Sequence, residues 1–119
     1  MNWYAVHVVM SVEYREGDQS DFPVWENVYL VEAADGEDAR RKGTALGAAA
    51  SGDSEGSFRW KERPARWVLA GIRKVVRCDS DDRQPDDGTE ITYSELTFSS
   101  REAVARFASG EVVPIASYE

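Results

Sequence analysis

The sequence predicts an α+β domain: a single antiparallel sheet with two helices packed on one face, ferredoxin-like with an extra N-terminal strand. Three observations predict it. Runs rich in valine and aromatic residues alternate with the period of a strand. Two segments open on helix-capping residues and carry an apolar stripe at helical spacing. The two halves also rhyme at an offset of 64: Trp3 with Trp67, Glu26 with Glu90, Tyr29 with Tyr93, Asp38 with Glu102 and Ala39 with Ala103. That rhyme reads as a ββα pseudo-repeat.

Residues 3–14 form the first expected strand, with Tyr4, Val6, Val8, Met10 and Val12 on one face. A polar loop from Arg15 to Phe22 leads through Pro23 into a second strand, Val24 to Ala33. Its apolar residues fall on both faces, which predicts a place inside the sheet. Asp35 then caps a helix whose first turn is acidic, matching the helix dipole. Ala39, Gly43, Leu46 and Ala50 give it a stripe of small side chains suited to close packing on a sheet. Ser51 to Ser57 ends that helix. Phe58 to Trp60 reads as a short strand or an arm before Pro64, and Arg66 to Cys78 as a clear strand. After the aspartate-rich loop Asp79–Gly88 comes a strand over Thr89 to Phe98. Ser99 and Glu102 have capping-box spacing for a second helix, stopped by Gly110. Val112 to Tyr118 is expected as a last strand, held at an edge by Pro114.

At 119 residues the chain is one domain, 1–119. A hydrophobic share of 42% and a charged share of 30% exclude a largely disordered polymer. At 13.3 kDa it should expose roughly 6,500 Å² when folded. Lys plus Arg number 14 against 22 Asp plus Glu, a net charge of −8. Such a surface argues against whole-surface binding to nucleic acid or anionic membranes. The lone Cys78 forms no internal disulfide, and the first residues show neither a secretory leader nor a membrane span. A cytoplasmic protein is the expectation.

Seven basic residues, Arg59, Lys61, Arg63, Arg66, Arg73, Lys74 and Arg77, are half the total and interleave with Phe58, Trp60 and Trp67. A basic strip with stackable rings suits single-stranded nucleic acid. Neighbouring Glu13, Glu26, Glu32, Glu90 and Glu95 offer the ordinary alternative of cross-strand charge pairing. A second set, Glu26, Tyr29, Arg73, Glu90, Tyr93 and Glu95, offers a guanidinium fork for an acid or a bound anion, or a carboxylate base beside a phenol. The loop from Asp79 fails as a calcium site, because Arg83 and Gln84 stand where a ligand and the turn glycine are needed. One histidine, His7, and one cysteine are too few for the usual zinc site. No serine lies in a nucleophile elbow, and no phosphate-binding glycine motif is present. No cofactor is expected.

The blocks Asn2-Trp3-Tyr4, Pro23 to Leu30, Trp67 to Lys74 and Gly88 to Glu95 resemble a small bacterial family, the domain-of-unknown-function family 4288. The resemblance implies a stand-alone domain of about this length and no particular activity. It also coincides with Glu26, Arg73, Glu90, Tyr93 and Glu95.

The leading expectation is a non-catalytic module that binds another protein, such as an acidic inhibitor of a basic toxin or nuclease. The binding candidates are Glu26, Tyr29, Trp60, Trp67, Arg73, Glu90, Tyr93 and Glu95. The alternatives are a small-ligand binder or enzyme with its site at Arg73, Glu90, Tyr93 and Glu95, and nucleic-acid binding through residues 59–77. Free sheet edges leave open a homodimer by strand pairing.

Overall fold

The computed structural model describes residues 1–79 and 84–118. The strand β1 (Asn2–Tyr14) lies at the centre, antiparallel to β2 (Val24–Ala33) on one side and to β4 (Arg63–Arg77) on the other. A two-residue strand, β3 (Arg59–Trp60), forms a hairpin with the start of β4, so the sheet order is β2-β1-β4-β3. Valine content and alternation explain why β1 takes the middle: Val6, Val8 and Val12 are fully buried, and Ala5 and His7 on the opposite face are buried as well.

One helix, α1 (Gly36–Ala50), covers the face that carries Tyr4, Val6, Val8 and Met10. Asp35 caps it, accepting the Asp38 backbone N–H at 2.8 Å, as its position before an acidic first turn predicts. The stripe that meets the sheet runs through Ala39, Gly43 and Gly47, while Leu46 and Ala50 stay exposed. The spacing is what glycine permits: a Cβ on Gly43 would fall 2.4 Å from Val6 Cγ1, and one on Gly47 would fall 2.5 Å from Leu69 Cδ1. Beyond the helix, the same face of the sheet is closed by rings. Trp25 meets Trp60 and Trp67 edge-on at 5.5 and 5.0 Å, and Phe58 stacks on Trp67.

The C-terminal third departs from the expected plan. Instead of a strand over Thr89–Phe98, only β5 (Leu96–Thr97) forms, paired with β6 (Ser117–Tyr118) in a separate two-stranded sheet. Between them lies α2 (Arg101–Ala108), capped by Ser100 rather than Ser99, with the Ala103 N–H donated to its hydroxyl. No residue of α2 is buried; Phe107 packs on Phe98 at 4.9 Å within this small unit. The single sheet with two helices on one face is therefore corrected to one four-stranded sheet with one covering helix, plus a small satellite. The pseudo-repeat stops with it, since the partners of β2 at offset 64 are not a strand in the sheet.

Two further corrections concern the sheet. β2 is an edge strand, not an interior one, and its outward aliphatics Val24, Val28 and Leu30 are 56%, 43% and 47% exposed. β4 is bulged twice. The register steps from His7↔Lys74 to Val8↔Ile72 and from Val9↔Gly71 to Met10↔Leu69, leaving Arg73 and Ala70 as extra residues. The loop Asp79–Gly88 falls partly outside the described residues. No helix among the described residues is long and apolar enough to cross a membrane.

Candidate functional site

The helix-free face of the sheet is where charge gathers. Paired residues of an antiparallel ladder share a face, so the register puts His7, Val9, Val28, Glu26 and Lys74 together there. The bulge at Arg73 breaks the alternation of β4. Arg73 and its neighbour Lys74 both reach groups on this face, which an unbroken strand would forbid.

Glu26 is the hub. Its Oε2 accepts from Arg73 Nε at 2.6 Å and lies 2.6 Å from His7 Nδ1, while its Oε1 accepts from the Tyr118 hydroxyl at 3.3 Å. Arg73 Nη2 is also 2.6 Å from Oε2 but outside hydrogen-bond angles, so this buried nitrogen gains charge attraction without a directed bond. The Arg73 guanidinium in turn sits over the Tyr118 ring, 4.4 Å from its centre. Burial pushes the Glu26 carboxyl up, but the hydrogen bonds from Arg73 and His7 and their charge outweigh it and hold the group below its ordinary value.

His7 is 3% exposed, and its other nitrogen, Nε2, lies 2.5 Å from Thr92 Oγ1. Hydroxyl, imidazole and carboxylate thus stand in the order of a nucleophilic triad. The electrostatics differ from one. A triad carboxylate stabilises an imidazolium as it forms, whereas here Arg73 already neutralises Glu26. The chain of bonds acts as a latch: it pins the segment around Thr92 across the sheet and satisfies a buried imidazole at both nitrogens. Next to it, Lys74 donates to the Tyr93 carbonyl and lies 4.9 Å from the centre of that ring. Arg73, Lys74, Tyr93 and Glu95 line an open recess of about 350 Å³.

Arg73, Tyr93 and Glu95 are thus brought together with Glu26 nearby, while Glu90 is exposed on the preceding stretch and does not line the recess. Tyr29 lies on the opposite face against the core, and Trp60 and Trp67 belong to the ring cluster at the end of that same face. Reasoning from the sequence missed His7, Thr92 and Tyr118 and had Lys74 only as part of the basic strip. Only His7 carried a signal, as the single imidazole in the middle of an apolar strand.

The basic strip is largely spent inside the fold. Arg66 pairs with Glu13, Arg73 with Glu26 and Arg77 with Asp79. Arg63 donates to the carbonyls of Glu16 and Asp18 and covers the Tyr14 ring at 3.5 Å, and Arg59 donates to the Gly56 and Phe58 carbonyls. Among the described residues no cluster of three His, Cys, Asp or Glu is placed to hold a metal ion. Cys78 is buried, and burial, with Asp79 beside it, raises its thiol pKa.

Fold and site define a small α+β domain: a helix on one face of an antiparallel sheet, and a hydrogen-bonded charge cluster on the other. The chain belongs to a family described as a domain of unknown function, DUF4288, whose model matches residues 3–93. The match takes in the sheet, α1 and the latch at Thr92, and ends before β5. Neither the curated proteins nor the solved structures compared with it gave a match.

Proposed function

We propose that this chain is a non-catalytic protein-binding module that takes up an extended segment of its partner along the open edge of β2. One observation carries the reading: a ten-residue edge strand whose outward backbone groups are nearly all unspent among the described residues. Val12 donates to the Pro23 carbonyl, so odd-numbered residues of this strand turn toward β1. The alternation then turns N–H and C=O of Val24, Glu26, Val28, Leu30 and Glu32 to the open side. Lys42 occupies the Glu32 carbonyl, consistent with that direction. The same even-numbered residues put exposed valine and leucine side chains on the helix-free face. A docking strand gains affinity from the backbone ladder and selectivity from such alternate side chains. Edges are usually guarded by proline, charged side chains (above all lysine) or a bulge; β2 has no proline, lysine or bulge, and of its two charges Glu26 is drawn to Arg73, leaving Glu32.

The test is selection of displayed random decapeptides on the immobilised wild type and on Val28→Pro. Proline at 28 removes an outward N–H and leaves the β1–β2 ladder whole. Peptides enriched on the wild type and at least tenfold weaker on the variant support the reading. Failure to enrich any peptide, or equal binding to both proteins, overturns it.

A second reading rests on the recess. Two cations, a carboxylate and a ring within about 350 Å³ suit a small zwitterion, its acid toward Arg73 and Lys74 and its ammonium toward Glu95. Saturation-transfer NMR with a panel of free amino acids tests it: signals lost on Lys74→Met support it, and no signal for any amino acid refutes it.

A further inference from the structure

We infer that the partner strand at the β2 edge is β2 of a second copy of this chain, the two sheets joining antiparallel about a two-fold axis at Val28. The inference rests on the docking edge proposed above and names its occupant.

The first argument is area. The chain exposes 8216 Å², against roughly 6,500 Å² for a compact monomer of its mass. Its radius of gyration is 17.3 Å, where about 13.5 Å is usual for this length. The excess of roughly 1,700 Å² is larger than the ~800 Å² per partner of a standard interface. Apolar side chains are among what is left open, and on β2 Val24, Val28 and Leu30 are all exposed.

The second argument is register. Only even-numbered residues face the open side, so a symmetric antiparallel pair must match even with even. Centring on Val28 sets Val28 against Val28 of the second copy, Glu26 against Leu30 and Val24 against Glu32, using the full strand. Sliding by two residues one way opposes Glu26 with Glu32, which like charge disfavours. Sliding two the other way leaves Glu32 beyond the ladder and shortens it. Like charge thus disfavours one neighbouring register and ladder length the other, leaving the one centred on Val28, and the aliphatic side chains of both copies run together across the joined face.

Charge gives the pairing a signature. With a net charge of −8 on each chain, two copies repel, so added salt strengthens self-association, whereas it weakens capture of a basic partner.

Sedimentation equilibrium over a concentration series, at low and moderate salt, reads the assembly. Cysteine variants read the register. Facing residues of a hydrogen-bonded pair have Cα atoms about 5.5 Å apart, within disulfide reach; Leu30 of one copy lies about four residues along from Leu30 of the other, roughly 13 Å. The expected result is a dimer that tightens with salt, is lost in Val28→Lys and Val28→Pro, and cross-links at least tenfold faster through Val28→Cys than through Leu30→Cys. A chain that stays monomeric at millimolar concentration, or equal cross-linking of the two cysteine variants, overturns the inference. In that event peptides that still bind the wild type and not Val28→Pro leave the docking edge standing with a foreign occupant. If Val28→Pro fails to fold, Val28→Lys, which changes only an exposed side chain, decides the question.

Discussion

Gly43 and Gly47 occupy equivalent places on α1, one turn apart, yet alanine should affect them unequally. At both, alanine returns the ~1 kcal/mol of helix propensity that glycine forfeits. The added Cβ at Gly43 falls 2.4 Å from Val6 Cγ1 and 3.2 Å from Val6 Cβ. Val6 is fully buried and β-branched, so its side chain resists turning away, and its Cβ, fixed to the central strand, keeps the 3.2 Å contact in any rotamer. The helix must lift, and a 2.4 Å approach to a fully buried side chain puts the overpacking cost at the upper end of the usual range, about 2–3 kcal/mol. At Gly47 the nearest atom is a methyl end of Leu69, at 2.5 Å, with the other at 3.2 Å, and Leu69 is only half-buried and free to turn. Val8 Cγ1 at 3.0 Å needs a shift of a few tenths of an ångström. Gly43→Ala should therefore lose about 1–2 kcal/mol and Gly47→Ala stay within about 0.5 kcal/mol of wild type. Urea denaturation reads this as a lower midpoint at unchanged slope, and a thermal scan as a drop of roughly 4–8 °C in Tm for Gly43→Ala. Equal midpoints for the two variants, or a Gly43→Ala protein as stable as wild type, would refute the argument that close approach fixes the helix.

Three other perturbations probe the opposite face and the hairpin. Glu26 sits below its ordinary value of 4.5, so its contribution is present above that pH and is lost as pH falls through the folded value. Asp38, held down by the Ala34 N–H, and Asp79, held down by Arg77, act in the same direction. Urea midpoints measured from pH 6 to pH 3 should therefore fall for wild type and fall less for Glu26→Gln. Thr92→Val keeps shape but leaves Nε2 of the buried His7 unpaired, costing about 1–3 kcal/mol; amide exchange should quicken around residue 92 before it does in β1. Lys61 and Glu62 form the two-residue turn of the β3–β4 hairpin with φ of 50° and 67°. Replacing them with Asn-Gly, the pair this mirror-image turn prefers, should raise stability by about 1–2 kcal/mol in the same denaturation assay.

What could be read from the sequence was whatever depended on neighbours along the chain. Asp35 caps α1 because a carboxylate three residues before an N–H needs no tertiary help, and the valines of β1 declare a buried strand by count alone. Most of the failures are non-local. β2 shows apolar residues on both faces, normally the mark of an interior strand; here one face meets the core and the other is exposed. The turn at Lys61-Glu62 lacks the residues its backbone conformation favours, which hid the β3–β4 hairpin. The residues after Gly88 match β2 in several side chains and so read as its repeat. Thr92 instead crosses the sheet to His7, because both edges of β1 were already filled by β2 and β4. Arg73 was legible as a charge, but its direction depends on a bulge that alternation cannot forecast.

The helix-free face and the open edge are linked through one strand. Glu26 presents its side chain to the Arg73–His7 cluster and its backbone to the empty side of β2. A partner strand laid there would pair directly with the residue that holds the cluster together. Backbone pairing would hold φ and ψ at Glu26 and hence the aim of its carboxylate. Loosening the cluster, by Thr92→Val or by acid, would soften the edge. Docking at β2 and protection of the latch should therefore rise and fall together: binding at the edge should slow amide exchange at Thr92 as well as along β2. Protection confined to β2, with exchange at Thr92 unchanged, would mean that the edge and the charge cluster act independently, and that the cluster serves only to hold the segment after Gly88 against the sheet.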